Sequence, residues 1–208
     1  MANVPSYRAH PWHGVPIGEE APALVTCYIE IVPTDTVKFE IDKQSGILRV
    51  DRPQKYSNHC PSLYGFIPQT YCGDRVGALC AQSIRSRKKI RGDGDPMDVC
   101  VLTERTILHG DLLVRAKPIG GFKLLDRNEA DDKIIAVLEG DGMFAGVEDI
   151  KDVPSALIDR LRHYFLTYKE IPGTRKTSPV EVAAVYGKSA AHTAIRRSLE
   201  DYRELLKK

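Results

Sequence analysis

The hydrophobic and polar positions along the chain first mark out strands. Val25 to Val32 is largely apolar and stops at Pro33, whereas Thr36 to Asp42 alternates polar with apolar residues, the period of a half-buried strand. Lys43-Gln44-Ser45-Gly46 turns the chain into Ile47 to Arg52, and Pro53 ends that run. Val99 to Leu102, Leu112 to Lys117 (before Pro118) and Lys133 to Leu138 are further strand candidates, separated by Gly- and Asp-rich turns. Short strands at this spacing predict a sandwich or a barrel. From Pro53 to Gly94 the pattern is irregular and contains a basic run, Arg85 to Arg91, which predicts an exposed excursion. After Pro154 the period changes. Leu157, Ile158, Leu161, Tyr164, Phe165 and Tyr168 recur at helical steps, predicting an amphipathic helix that ends before Pro172-Gly173. A second helix is expected from Ser189 as N-cap to the end of the chain, with Ala191, Ile195, Leu199, Tyr202 and Leu206 on one face.

The 208 residues fit one domain spanning 1–208, long enough to build a substantial core. Hydrophobic residues make up 42% and charged residues 28%, which excludes a disordered chain, and 30 basic against 28 acidic side chains leave a net charge of only +2. That balance argues against blanket binding to nucleic acid or an anionic membrane. No apolar run approaches the ~18 residues of a membrane-spanning helix, and Met1 to Gly14 lacks the apolar stretch of a signal peptide. A cytoplasmic location without a membrane partner is therefore expected. The five cysteines are odd in number, contain no CxxC pair and read as reduced thiols, a Cys72–Cys80 bridge or metal pair being the lesser alternative.

The most informative chemistry lies in Asp93-Gly94-Asp95-Pro96-Met97-Asp98, which runs into the apolar strand Val99 to Leu102. Pro96 biases Asp95 toward extended backbone, so Asp93 and Asp95 share a face and Asp98 stands at the strand mouth. Converging carboxylates about 4 Å apart repel by ~1 kcal/mol in water and ~4 kcal/mol at an effective dielectric near 20, so they call for cations. Oxygen-only ligands point to Mg²⁺ or Mn²⁺. An EF-hand loop fails because Asp98 stands where that pattern needs glycine and Met97 where it needs a ligand. A solvated Asp/Gly turn is the plain alternative for the DGD triplet alone.

In this segment the chain resembles the soluble family I inorganic pyrophosphatases of bacterial type, with their D-G-D-P-x-D-[VL] signature preceded by E-I-P and K-x-E-x-D patterns. The resemblance runs from Leu24 to Arg175, through Glu30-Ile31-Val32-Pro33, Lys38 to Asp42, Val50-Asp51-Arg52, Tyr64 to Pro68, Asp93 to Asp98, Asp126, Asp131, Lys133 and Tyr168-Lys169. It implies an α+β, mainly β fold: a five-stranded OB-like closed barrel with two C-terminal amphipathic helices packed outside. It implies hydrolysis of inorganic pyrophosphate to two orthophosphates by a metal-activated water. Several Mg²⁺ ions per site are implied, with Mn²⁺ or Zn²⁺ as possible substitutes, and a homo-oligomer, by chain length a hexamer.

The same resemblance distributes the roles. Asp93, Asp98 and Asp131 would hold the metals that generate the nucleophile, with Asp98 bridging two of them. Asp126 would hold a metal arriving with substrate, Asp95 would act as general base, and Glu30 and Glu40 would orient metal-bound waters. Lys38, Arg52, Tyr64, Lys133, Tyr168 and Lys169 would contact phosphate, with Lys133 also balancing the acidic cluster. Without the resemblance, Lys38, Glu40 and Asp42 read as the solvated face of an amphipathic strand. Asp131 and Lys133, two apart, should point the same way, and a one-residue slip would put Asp132 in their place. Two features depart from the family pattern: Cys60 stands where many members carry an aromatic residue, and residues 69–92 read as a loop insertion. The rival of a different class is an OB-like nucleic-acid-binding module using the basic segment 85–91. That module would interleave aromatic residues with basic ones, and Arg85 to Arg91 contains none.

Overall fold

The computed structural model describes residues 8–169 and 180–207. Its strands in chain order are β1 (Val25–Ile31), β2 (Val37–Ile41), β3 (Leu48–Pro53), β4 (Leu63–Phe66), β5 (Arg91–Gly92), β6 (Asp98–Leu102), β7 (Leu112–Asp126), β8 (Glu129–Ala130), β9 (Lys133–Leu138) and β10 (Val180–Gly187). The helices are α1 (Asp74–Ser83), α2 (Ser155–Thr167) and α3 (Lys188–Leu205). Among the described residues no helix is long and apolar enough to cross a membrane.

The apolar runs read as strands because both faces of those strands are covered, the condition that replaces alternation with continuous hydrophobicity. In β6, Val99 and Val101 enter one apolar cluster while Cys100 and Leu102 enter another, and in β9 Ile134 and Ala136 separate from Ile135 and Val137 in the same way. The first cluster takes Val76 and Cys80 from α1 and Ala191, Ala194 and Ile195 from α3. The second takes Ile158, Leu161, Tyr164 and Phe165 from α2, the stripe whose spacing announced that helix. A smaller cluster joins Trp12, Tyr28, Ile41, Phe66 and Tyr202. All five cysteines are buried and free, including Cys72 and Cys80.

The expected five-stranded closed barrel with two C-terminal helices does not describe this architecture. The main sheet has eight strands in the order β1-β4-β6-β9-β7-β8-β5, with β10 paired to β7 and a further β1–β7 pairing, while β2 and β3 form a separate two-stranded sheet. There are three α-helices among the described residues, and α1 lies inside the stretch 69–92 that read as a loop. Three features account for the differences from the expected elements. The strand expected over Leu112 to Lys117 does not stop before Pro118. The ladder between β7 and β9 shifts register between Pro118 and Gly120, a bulge that accommodates a residue with no N–H to donate, and β7 continues to Asp126. That length lets one strand meet β1, β9, β8 and β10. Helix α1 lacks a capping side chain at Gly73 and is capped instead from α3. There the Asp201 carboxylate accepts from the backbone N–H groups of Gly73 (3.0 Å), Arg75 (3.1 Å) and Val76 (3.1 Å), a partner more than a hundred residues away. Finally, α3 begins at Lys188 rather than after a Ser189 cap, because Asp149 accepts from the Lys188 backbone N–H at 2.9 Å.

Candidate active site

Strand pairing brings the separated acidic motifs together. Asp98 opens β6 and Lys133 opens β9, and the two are register partners in the parallel β6–β9 ladder. On the other side of β6, Phe66 of β4 pairs with Asp98, so the Tyr-Gly-Phe segment and the acidic segment share one end of the sheet. Gly94 adopts φ +80°, the left-handed backbone that glycine tolerates, and the Asp95 backbone N–H donates to the Asp93 carboxylate at 3.0 Å. The Asp-Gly-Asp sequence thus folds as a tight turn that presents both carboxylates to the same space.

That space is a cavity of about 530 Å³ lined by Lys38, Arg52, Lys55, Tyr64, Asp93, Asp95, Asp98, Asp126, Arg127, Glu129, Asp131, Lys133, Tyr168 and Lys169. It gathers eleven of the thirteen side chains picked from sequence: Asp93, Asp95, Asp98, Asp126, Asp131, Lys38, Arg52, Tyr64, Lys133, Tyr168 and Lys169 all lie on its wall. Glu30 and Glu40 do not. Glu30 is buried behind the wall, where its Oε1 accepts from the Ile41 backbone N–H at 2.8 Å, and Glu40 pairs with Lys38 at 2.7 Å and Arg49 at 3.2 Å. Lys55, Arg127 and Glu129 also line the cavity, and Lys43 pairs with Asp95, none of which the motifs indicated. Arg127 sits with Asn128 in a turn where both carry positive φ, directly after Asp126 at the end of β7. An Asp-Arg-Asn-Glu turn between two strands is the signal that could have placed it.

Inside the cavity Lys133 is the electrostatic centre. Its ammonium pairs with both Asp98 and Asp131, and those carboxylates hold it well above the ordinary lysine range despite its burial. Tyr64 donates its hydroxyl proton to Asp98 at 2.6 Å. Lys169 pairs with Asp126 at 2.6 Å and lies over the Tyr168 ring. Burial, reinforced by the like charge of Asp131, pushes the Asp93 carboxyl up to about 9, and burial raises Asp98 as well. Among the described residues no three acidic, His or Cys side chains are already drawn into a ligand set. Lys133 instead neutralises Asp98 and Asp131 in the way a cation would. Carboxylates that would rather be protonated than share their charge fit a divalent cation, and an all-oxygen wall suits a hard one. The arrangement defines a class: a polyanion-binding, metal-assisted hydrolytic centre whose wall interleaves carboxylates with basic side chains.

Comparison with known proteins narrows that class. The family model described as inorganic pyrophosphatase matches residues 27–203. An inorganic pyrophosphatase of Chlamydia trachomatis is 51% identical over 205 residues, covering 97% of this chain and 98% of the relative. A soluble inorganic pyrophosphatase of Oryza sativa is 37% identical, covering 93% of this chain and 79% of the relative. The crystal structure of the inorganic pyrophosphatase from Thermus thermophilus superposes with a TM-score of 0.77 at 28% identity, covering 94% of this chain and 99% of that one. The chain belongs to the inorganic pyrophosphatase family.

Proposed function

We propose that the chain hydrolyses inorganic pyrophosphate to two orthophosphates with the help of divalent metal ions, Mg²⁺ foremost and Mn²⁺ or Zn²⁺ as substitutes. The observation that carries this reading is one cavity whose wall gathers Asp93, Asp95, Asp98, Asp126 and Asp131 with Lys38, Arg52, Lys55, Arg127, Lys133 and Lys169. Such a wall suits a substrate that is itself highly anionic and needs both metal and protein cations. Asp93, Asp98, Asp131 and Asp126 are the residues that would hold the ions. Bound there, divalent cations supply charge neutralisation and lower the pKa of water. Asp95 takes the proton of the attacking water as general base, and the Lys43 ammonium beside it orients the carboxylate. Arg52 offers a planar fork to phosphoryl oxygens, while Lys38, Lys133 and Lys169 act as point charges. Tyr64 and Tyr168 offer hydroxyl protons to the same oxygens and shape the wall. Glu30 and Glu40 act from behind, by holding the backbone of β2 and the position of Lys38.

The chain acts as a single domain spanning 1–208 and assembles as a homo-oligomer, a hexamer by its length, which light scattering of the purified protein tests. Phosphate release from pyrophosphate, measured with and without added Mg²⁺, tests the activity. Metal-dependent turnover is the expected result, and its absence would remove the enzymatic reading.

A further inference from the structure

The segment entering β9 reads Asp131-Asp132-Lys133, and two adjacent aspartates compete for the same place in the cavity. Only Asp131 reaches it. Asp132 faces the opposite way, 1% exposed, and pairs with the Lys123 ammonium at 2.6 Å, itself 3% exposed. The Tyr186 hydroxyl donates to the same carboxylate oxygen at 3.0 Å, and the Lys123 ammonium lies 4.9 Å from the centre of the Tyr186 ring. The other oxygen, Oδ1, is buried and has no hydrogen-bond partner among the described residues, so Lys123 and Tyr186 carry the carboxylate. Lys123 and Tyr186 come from β7 and β10 and Asp132 directly precedes β9; Gly121 of β7 is register partner both to Ile134 of β9 and to Tyr186 of β10.

We propose that the buried Lys123–Asp132 pair, tied to Tyr186, is a positioning device for the catalytic cavity, selecting the register in which Asp131 and Lys133 face inward. The inference rests on the metal-dependent reading of the cavity. A one-residue slip turns every side chain of a strand segment to its other face. In the slipped arrangement Asp132 would enter the cavity, but Lys133 would swing to the far side and meet Lys123. Asp98 would then lose its ammonium partner. In the observed register each side holds opposite charges, and the degeneracy of the two aspartates is broken by one lysine of β7, Lys123. Stability alone does not account for the pair, because replacing a buried ion pair by apolar groups of similar volume is often neutral or favourable.

The test is the charge-neutral double variant Lys123→Met with Asp132→Leu, which removes both charges without leaving either one buried alone. Mg²⁺ titration calorimetry without substrate reads the site independently of turnover. The expected result is a folded protein whose tightest Mg²⁺ affinity falls by about tenfold or more, as for lost groups that orient metal ligands. The apparent Mg²⁺ requirement of hydrolysis should rise in parallel, with KM for pyrophosphate at saturating Mg²⁺ little changed. Lys123→Arg, which keeps the charge, should hold Mg²⁺ affinity near wild type. A double variant that folds and binds Mg²⁺ like wild type overturns the proposal. Should the double variant not fold, Tyr186→Phe removes one hydrogen bond and keeps the ion pair, and unchanged Mg²⁺ affinity in that variant overturns the proposal equally. A wild-type protein that binds Mg²⁺ without hydrolysing pyrophosphate would instead count against the enzymatic reading, so the two failures are distinguishable.

Discussion

Two carboxylates of the same acidic turn stand in different surroundings. Asp95 stands at the cavity edge, half-exposed and paired with Lys43, whereas Asp98 is held by Lys133 and the Tyr64 hydroxyl. Asp95→Asn should therefore lower kcat by about 10²–10⁴-fold, the usual contribution of a general base, with Mg²⁺ affinity nearly intact. Asp98→Asn should weaken Mg²⁺ binding directly, and calorimetry alongside phosphate release separates the two outcomes. Glu30 makes a different prediction, about stability. Burial raises its carboxyl from 4.5 to about 8, against the pull of the Ile41 backbone hydrogen bond. A carboxyl that binds its proton more tightly in the folded protein contributes stability that is fully present below about pH 4.5 and lost as pH rises through about 8. In metal-free protein, Glu30→Gln keeps the acceptor for Ile41 and removes the titration. The variant should equal wild type in acid and exceed it above pH 8, by an amount on the order of a few kcal/mol in urea unfolding.

At the level of elements, legibility followed locality. Helix α2 and the strand β6 could be read because their signals lie within their own residues: a three-and-four apolar stripe, and an apolar run after an Asp-Gly-Asp-Pro turn. The cavity residues could be read because their motif spacing is itself local, although their convergence depends on the β6–β9 register. What escaped depends on distant partners. The continuation of β7 past Pro118 relies on a bulge against β9, and α1 relies on a cap supplied by α3. Glu30 and Glu40 lie off the cavity wall, and strand alternation, which says only which face a side chain shares, does not show that their carboxylates go to the Ile41 backbone N–H and to Lys38. The α1 cap is open to test. Asp201→Ala should cost about 1–2 kcal/mol by orphaning the first N–H groups of the helix, and Asp201→Asn, which keeps an acceptor, should cost less. Hydrogen exchange of the Arg75 and Val76 amides distinguishes local unwinding of α1 from a global loss.

Across the whole molecule, the near-cancellation to +2 conceals two populations of basic side chains. One population, including Lys55 and Lys169, lines the cavity; the other, Arg85 to Arg91, lies outside it, where Lys89 makes only an exposed contact with Asp74 at 3.4 Å. An exposed pair of that kind contributes little to stability, and the field of an exposed charge is screened over a Debye length of roughly 10 Å at 0.1 M salt. Position, not number, should decide which cations serve the reaction. Lys55→Ala is expected to raise KM for pyrophosphate several-fold with a smaller change in kcat, because it removes a charge that faces the substrate throughout. The triple variant Arg87→Ala, Lys88→Ala, Lys89→Ala removes more charge and should leave both parameters near wild type. Both proteins would be assayed by phosphate release across a series of salt concentrations. If the triple variant instead lost kcat/KM at low salt and regained parity at high salt, the basic run would be steering substrate from a distance, and the separation into two populations would have to be given up.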